Sequence, residues 1–349
     1  MITIIFASGV GTRLWPLSTN EHPKQYRKLL SDELSMLQQT YNRAIKMSNA
    51  VYMIVRDEHM SHVKEQFADV DDDKIIITPV ANGTTSCVII ALDVLRRQGV
   101  NEDEPIVFVP ADHHIDNEDL FVATFTEAAK ISQKTNAITL VGISPTYAST
   151  NFGYIEAGKT EGGITKVSSF KEKPDAATAE KYLKTGRYYW NGGYFVGTYS
   201  TFTNEIEEFS QPMQDRLEKL RQVANYPSKE YTDLYGSFPE EAVDISLIEK
   251  SNNIYLTTAK FGWSDVGNFK DLHDVLDRDG ADNHIIGDDV FVIGSTNSYI
   301  RDDGGKPVAI IGLKDVVVVN TEDGLLIAHR DSVHRNGEVA KQLNKRSSK

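Results

Sequence analysis

Between Ile2 and Val141 the sequence alternates short apolar runs with segments of helical periodicity, and this alternation constrains the fold more than any other feature. The apolar runs are rich in Ile and Val, which is typical of strands buried on both faces of a parallel sheet. The predicted strands are 2–6, 51–55, 74–78, 105–109 and 137–141. Helices are predicted from a start signal at Ser31 to Ile45 and from Val88 to a stop at Gly99. This order predicts an α/β fold with a Rossmann-like, open, mostly parallel sheet and helices on both faces.

Two later parts of the chain have other patterns. Between 151 and 269 we predict a mixed sheet that continues the same domain, with one amphipathic helix over 203–224 and extended stretches at 152–157, 164–171 and 193–197. After Asn283, apolar runs separated by Gly- and Asp-rich turns predict a small all-β unit, for which a short left-handed β-helix and a meander both fit. The tail from 342 to 349 is expected to fray. The predicted domains are therefore 1–282 and 283–349.

Composition excludes several classes of function. The chain of 349 residues has 37 basic and 50 acidic residues, a net charge of −13, whereas proteins that bind long nucleic acids usually carry the opposite sign. The single cysteine, Cys87, excludes an intrachain disulfide and fits a reducing compartment. No apolar run approaches the roughly 18 residues of a membrane span, and the N-terminus lacks the pattern of a signal peptide. We therefore expect a cytoplasmic protein without nucleic-acid or membrane partners.

The residues after the first predicted strand suggest a phosphate-binding loop, because ligands of open α/β sheets bind beyond the carboxyl ends of the strands. Glycines without a Cβ let backbone N–H groups approach phosphate oxygens, and Arg13 and Lys24 supply positive charge. A plain turn also explains a lone Gly-x-Gly. Leu14 stands where a dinucleotide fingerprint has its third glycine, and the Gly-Lys-Ser/Thr of a Walker loop is absent. The candidate loop comprises Ala7, Ser8, Gly9, Val10, Gly11 and Thr12.

A second candidate is Asp112, which follows the fourth predicted strand. A carboxylate at this position faces the crevice, where Mg²⁺ can bridge it to phosphate oxygens. The evidence for a zinc site at His113 and His114 is weaker than that for Mg²⁺ at Asp112, because no Cys is near and adjacent residues rarely bind one ion. The Asp-His-His triplet also resembles a phosphoesterase metal motif, but the companion Asp-x-Asp strand is absent. We interpret both histidines as residues at a helix entry or as supports for the site.

The string from Gly9 to Ser18, GVGTRLWPLS, followed by Pro23-Lys24-Gln25, resembles the signature of the sugar-nucleotide pyrophosphorylases. Asp112 stands in the Pro-Ala-Asp-His motif of that family. Further matches follow in the family's order: NFGYIE at 151–156, FKEKP at 170–174, WNGGYF at 190–195 and GWSDVG at 262–267. So many motifs in the right order make coincidence implausible. The Trp-Pro-Leu-Ser form is most similar to members that join mannose 1-phosphate to GTP.

The resemblance implies a function for each motif. Arg13 and Lys24 would be catalytic, stabilising charge on the phosphates, and Asp112 and Asp265 would hold Mg²⁺. Nucleotide contacts would come from the loop at 7–12 and from Asn82, Gly83 and Thr84. Sugar-phosphate contacts would come from Gly153, Tyr154, Glu172, Lys173 and Asn191. In the implied reaction the sugar 1-phosphate attacks the α-phosphorus of GTP and pyrophosphate leaves. The C-terminal β unit resembles the family's short left-handed β-helix.

Some positions depart from the family pattern. Ser8 replaces a glycine, Thr19 replaces an arginine, Gly192 replaces a serine, and Asn82-Gly83 replace an Arg-Asn pair in the loop that guanine-using members carry. Three hypotheses therefore stay open: a GTP and mannose 1-phosphate enzyme, a pyrophosphorylase of the same fold with another base or sugar, and a homologue that binds sugar nucleotides without turnover. A homodimer through the C-terminal β unit would cover its apolar runs.

Overall fold

The computed structural model describes residues 1–347, with side chains through residue 343. Its strands are β1 (Ile2–Ala7), β2 (Ala50–Arg56), β3 (Ile75–Thr78), β4 (Pro105–Pro110), β5 (His114–Ile115), β6 (Ile138–Ile143), β7 (Gly153–Glu161), β8 (Ile164–Lys171), β9 (Tyr188–Thr198), β10 (Ile254–Thr258), β11 (Trp263–Ser264), β12 (His284–Ile286), β13 (Val290–Ile293), β14 (Tyr299–Asp302), β15 (Val308–Ile311), β16 (Val316–Thr321) and β17 (Gly324–His329). Its helices are α1 (Met36–Ile45), α2 (Met60–Gln66), α3 (Gly83–Arg97), α4 (Glu118–Thr135), α5 (Ala176–Thr185), α6 (Tyr199–Phe209), α7 (Gln211–Gln222), α8 (Lys229–Gly236), α9 (Phe269–Val275) and α10 (Asn336–Ser347). Within residues 1–347, none of these helices has the length and apolar character needed to cross a membrane.

The chain divides into two compact units, each built from segments that are far apart in sequence. Unit 1 comprises 1–8, 40–111 and 115–263, and unit 2 comprises 9–39, 112–114 and the chain from Ser264 onward. The predicted boundary after residue 282 divides the chain by sequence, whereas these units divide it by spatial contact. Unit 2 therefore combines the motif-bearing segment 9–39 with the C-terminal β strands.

Unit 1 is organised by a nine-stranded sheet of order β3-β2-β1-β4-β9-β6-β10-β8-β7. Strands β1 to β4 pair in parallel, as do β6 and β10, while β9 lies antiparallel between β4 and β6. Along β4 only the terminal Pro110 is incompletely buried, because helices cover the sheet. The predicted α/β fold with a mostly parallel sheet flanked by helices is confirmed.

Two predicted helix boundaries are wrong. The single helix expected over 203–224 is two helices, α6 and α7, separated at Ser210. Pro212 lies in the first turn of α7, where its missing N–H costs no helical hydrogen bond. Helix α1 begins at Met36 instead of near Ser31, because Ser35 and Gln38 form a reciprocal cap: the Ser35 hydroxyl accepts from the Gln38 N–H and the Gln38 side chain accepts from the Ser35 N–H.

The C-terminal strands of unit 2 form a β-helix-like coil. Parallel pairs join β12 to β14, β14 to β16 and β13 to β15. Residues 18 positions apart contact each other between coils, as in the hydrogen bond from the Asn320 amide to Asp302. A meander, whose neighbouring strands are antiparallel, is therefore excluded for β12 to β16, and only β17 pairs antiparallel, with β16. Residues 342–347 lie in α10, where the expected fraying stays a prediction, and residues 348–349 lie outside the described residues.

Candidate active site

A small polar cavity in unit 2 collects residues from three motifs that are distant in sequence. Its volume is about 230 Å³, and it is called the Lys24 cavity below. The residues that line it are Gly11, Arg13, Lys24, Asp112, His113, Asp265 and Gly267. The structure therefore brings together both predicted catalytic residues and both predicted metal ligands.

Lys24 joins these motifs physically. Its ammonium donates to the Asp112 carboxylate (Nζ to Oδ2, 2.8 Å), to the Asp112 carbonyl (3.1 Å) and to the Asp265 carbonyl (2.6 Å). All three N–H donors of the ammonium are thereby used. Lys24 is buried, whereas the Asp112 side chain is 35% exposed, so solvent screens this ion pair in part.

The two aspartates differ in their pKa although they share this cation. At Asp112, burial favours the protonated form, but Lys24, His113 and Arg13 outweigh it and hold the pKa below its ordinary value. At Asp265, burial outweighs Lys24 and Arg13, and the pKa is raised. Asp112 adds to this increase by repelling a second negative charge nearby. The cavity thus holds two carboxylates whose mutual repulsion a positive group can relieve.

The glycine loop is held close to Lys24 by its own backbone and by the Pro-Lys-Gln segment. Gly11 has φ of +70°, and a Cβ at this position would lie 2.6 Å from the Lys24 Cβ. The Gln25 amide donates to the Gly9 carbonyl (2.7 Å), and the Lys24 N–H donates to the Val10 carbonyl (3.0 Å). Glycine at position 11 is therefore required both by conformation and by close approach.

The C-terminal helix contributes to the same loop. Asn336, the first residue of α10, is buried, and its side-chain amide donates to the Arg13 carbonyl (3.0 Å) and to the Trp15 carbonyl. Leu14 and Leu17 pack in one apolar cluster with Tyr299 and Val317 of the β-helix-like coil. The backbone that carries Arg13 is therefore held by Asn336, which lies 323 positions later in the chain, and by the β-helix-like coil.

Unit 1 contains a second group of predicted site residues. Gly153 of β7 pairs with Asn191 of β9, and a Cβ on Gly153 would lie 2.5 Å from the Glu172 Oε2 atom. Glu172 also forms an ion pair with Lys173 (Oε1 to Nζ, 3.2 Å). The structure thus brings Gly153, Glu172, Lys173 and Asn191 together, as the motifs predict.

Asp244 joins this group, although no motif pointed to it. Its Oδ1 atom accepts a hydrogen bond from the Asn191 side chain at 2.5 Å, and both residues are buried. Burial, followed by repulsion from Glu172, raises the pKa of Asp244 to about 6. Glu172, Lys173, Asn191 and Asp244 are called the Asp244 cluster below.

Aromatic packing explains why the motifs around this cluster contain Trp and Phe. The Phe152 ring lies 5.0 Å from Trp190 and 5.2 Å from Trp263, measured between centroids. Each of these rings belongs to a different motif, and their contact fixes the three motifs relative to one another. Trp263 immediately precedes the segment that carries Asp265.

Other predicted contact residues have side chains that are occupied by packing. Tyr154 has no exposed surface, and its hydroxyl donates to the Ser149 carbonyl and accepts from the Ser149 N–H, both at 2.9 Å. The Asn82 amide donates to the Tyr235 carbonyl (2.5 Å), and the Thr84 hydroxyl accepts from the Val243 N–H (2.9 Å). A Cβ on Gly83 would collide with the Glu241 backbone. Contact of these residues with a ligand, through backbone groups, stays a prediction.

The histidines after Asp112 are not at a helix entry. His113 lines the Lys24 cavity, His114 lies in β5, and Asn117 caps α4. Within the described residues, no group of three or more His, Cys, Asp or Glu side chains is arranged to hold a metal ion.

Sequence reasoning missed the roles of Gln25, Asp244 and Asn336. A weak signal existed for Asp244, because an aspartate within the apolar run Val243-Asp-Ile-Ser-Leu-Ile248 must be buried with a partner. Asn336 gave no comparable signal, because its partners are backbone carbonyls of a distant loop.

The chain is similar to known families and proteins over most of its length. A nucleotidyl transferase family model matches residues 2–281, and a model of the mannose-phosphate isomerase/GMP-like β-helix domain matches residues 288–343. The xanthan biosynthesis protein XanB of Xanthomonas campestris is 34% identical over 351 residues, which are 98% of this chain and 73% of XanB. A mannose-1-phosphate guanylyltransferase of Escherichia coli is 31% identical over 355 residues, covering 98% of this chain and 75% of that protein.

A solved structure is similar over nearly the whole fold. The crystal structure described as mannose-1-phosphate geranyltransferase from Thermus thermophilus is 25% identical, with a TM-score of 0.88, and the match covers 98% of this chain and 99% of that chain. The sequence match, the shared fold and the motif-derived cavity agree with one another. The chain therefore belongs to the nucleotidyl transferase family.

Proposed function

We propose that the protein joins mannose 1-phosphate and GTP to form GDP-mannose and pyrophosphate. A phosphate oxygen of the sugar 1-phosphate attacks the α-phosphorus of GTP, and the bond between the α-phosphorus and the bridging oxygen to the β-phosphate breaks. The observation that carries the proposal is the Lys24 cavity, where four motif residues converge, in a chain whose curated relatives include mannose-1-phosphate guanylyltransferases.

The residues of the chain would act by position and charge. The attacking phosphate oxygen is already ionised near pH 7, so the reaction needs no general base. The main barrier is the approach of two polyanions, which Arg13 and Lys24 lower by offsetting negative charge on the phosphates. Glycines of the loop at 9–11 offer backbone N–H groups to phosphate oxygens without steric hindrance. Glu172, Lys173 and Asn191 would bind the sugar 1-phosphate.

The chemistry of the cavity fits Mg²⁺. Asp112 and Asp265 supply carboxylate oxygens, and Mg²⁺ is commonly held by one or two carboxylates, with phosphate oxygens and waters completing its shell. When bound, the ion would neutralise charge on the phosphates and on the two mutually repelling aspartates. We therefore propose that Asp112 and Asp265 are its ligands.

One observation favours a second candidate, a pyrophosphorylase of the same fold with another base. Asn82 and Gly83 replace the Arg-Asn pair of guanine-using members, and the Asn82 amide is committed to the Tyr235 carbonyl. One of the two N–H groups of this amide is therefore already used inside the protein, which favours a base contact different from that of an arginine.

A substrate panel separates the candidates. The protein is assayed for Mg²⁺-dependent pyrophosphate release with each of four nucleoside triphosphates against several sugar 1-phosphates. We expect the highest kcat/KM for GTP with mannose 1-phosphate. Preference for another triphosphate or sugar would support the second candidate, and absence of turnover with every pair would support a binding protein. A cytoplasmic location and a homodimer through the C-terminal β unit stay predictions.

A further inference from the structure

Asp244 is a buried carboxylate beside the proposed sugar contacts, and it has no assigned role. It begins a π-helical turn, Asp244–Ile248, and such turns are frequent at functional sites. Among the described residues it forms no ion pair, and the side chain that donates to it is the Asn191 amide. Burying a carboxylate without an ion-pair partner is costly, so a structural role alone would be served equally well by a neutral residue.

The hydrogen bonds of Asn191 show that its contact with Asp244 restricts the orientation of its side-chain amide. The Asn191 Nδ2 atom donates to Asp244, and its Oδ1 atom accepts from the Gly193 N–H at 3.1 Å. Because a carboxylate only accepts and an N–H only donates, the two partners permit a single orientation of the amide. Among the contacts that residues 1–343 make, one N–H of Nδ2 and one lone pair of Oδ1 are left for a ligand.

The neighbours of Asn191 place that remaining donor and acceptor among the proposed sugar contacts. Gly153 lies beside Asn191, and a Cβ on Gly153 would lie 2.5 Å from Glu172 and 3.3 Å from the Asn191 Cβ. Asp244 interacts electrostatically with both Glu172 and Lys173. The amide that Asp244 orients is thus part of the same surface as the groups expected to hold the sugar hydroxyls and the 1-phosphate.

We propose that Asp244 is a positioning residue for the sugar 1-phosphate, which holds the Asn191 amide in the one orientation that a sugar hydroxyl recognises. This inference rests on the proposed function, because it deepens the account of the same sugar site. The ionised carboxylate makes the stronger, charge-assisted hydrogen bond to Asn191. Protonated Asp244 is neutral and can also act as a donor, which releases the amide from its single orientation.

The test compares wild type with Asp244→Asn, which keeps the volume and removes the charge. The matched control is Glu240→Gln, which neutralises an exposed carboxylate in the preceding segment. At pH 8 we expect the KM for mannose 1-phosphate to rise about tenfold in Asp244→Asn, the difference between a charged and a neutral hydrogen bond. The KM for GTP and the kcat should change less than twofold, and Glu240→Gln should match wild type.

The pH dependence separates positioning from a merely structural role. Since the pKa of Asp244 is raised to about 6, the ratio of the variant's KM to that of wild type should fall from about ten at pH 8 towards one at pH 5, where wild type is also neutral. Titration of the substrate phosphate cancels in this ratio. Glu172 and Lys173, the charged groups that face Asp244, are present in both proteins.

Each outcome has a definite meaning. A pH-dependent rise confined to the sugar KM supports the inference. An unchanged sugar KM, or equal losses for both substrates at every pH, overturns it while the proposed function stands. Absence of turnover by wild type overturns the proposed function, and the inference falls with it.

Discussion

Asp112 and Asp244 show two ways of holding a carboxylate in one protein. Asp112 accepts from the Lys24 ammonium at 2.8 Å, and its pKa is lowered. Asp244 accepts from a neutral amide at 2.5 Å and lies near Glu172, so its pKa is raised to about 6. Near the expected position of the polyanionic phosphates, the Lys24 cation is in place before a ligand binds. Near the expected position of the neutral sugar ring, the protein supplies hydrogen bonds of fixed direction. The buried Asp244 carboxylate that orients them lowers the stability of the folded state.

The two regions also differ in how they are assembled. The Asp244 cluster takes its residues from 172 to 244 of unit 1: Glu172 and Lys173 directly follow β8, Asn191 lies in β9, and Asp244 begins a π-helical turn. The Lys24 cavity takes its lining from residues 11 to 267, and α10 supports the loop from Asn336. The Lys24 cavity therefore depends on contacts between residues far apart in sequence more than the Asp244 cluster does. A substitution outside the cavity, such as one at Asn336, can test this dependence.

The largest expected effect is at the Lys24 cavity. Asp265→Asn should reduce turnover at least about a hundredfold, because a carboxylate proposed to hold Mg²⁺ is lost. The fold should survive, since the variant removes a buried charge whose pKa is already raised. Steady-state kinetics and circular dichroism measure the two expectations, with the exposed Asp288→Asn as the control in the same unit. Near-normal activity would remove Asp265 from the proposed metal site.

A smaller loss of turnover is expected when the contacts from α10 to the backbone around Arg13 are removed. Asn336→Ala removes the side chain that donates to the Arg13 and Trp15 carbonyls. Each of these two hydrogen bonds contributes about 1 kcal/mol. If they position Arg13 for the reaction, their loss should lower kcat roughly tenfold or more. The KM for mannose 1-phosphate should stay within twofold. Lys341→Ala, exposed on the same helix, is the control. A kcat equal to that of wild type would show that the loop keeps its conformation without α10.

The smallest effect concerns stability at the Asp244 cluster. Because the pKa of Asp244 rises on folding from 3.8 to about 6, the folded state binds more protons than the unfolded state between these values, and this group lowers the stability as pH rises through that window. Asp244→Asn removes the effect, so its free energy of unfolding relative to wild type should increase from pH 4 to pH 7, by at most about 3 kcal/mol. Urea denaturation at several pH values measures it, with Glu240→Gln as the control. A relative stability that decreases with pH would mean that a cation compensates Asp244.

Much of the site could be predicted from sequence because its motifs combine local conformation with chemistry. Gly11, Arg13, Lys24, Asp112 and Asp265 do converge, and Glu172 and Asn191 do lie together. Site residues are predicted less well from sequence where their role depends on which buried group they hydrogen-bond. Tyr154 and Asn82 stand in or beside motifs, yet their side chains are used in packing against Ser149 and Tyr235. Sequence spacing does not show which partner a buried polar group meets.

The alternation of strands and helices, the β-rich C-terminal segment and the positions of the charged motifs follow from the sequence, because periodicity and glycine placement are local properties of the chain. Three contacts depend on the folded arrangement: α10 supports the Arg13 loop, Lys24 bridges Asp112 and Asp265, and Asp244 holds the Asn191 amide. These contacts form only when distant segments pack together, and burial then sets the pKa of each carboxylate according to the cation or amide that it meets.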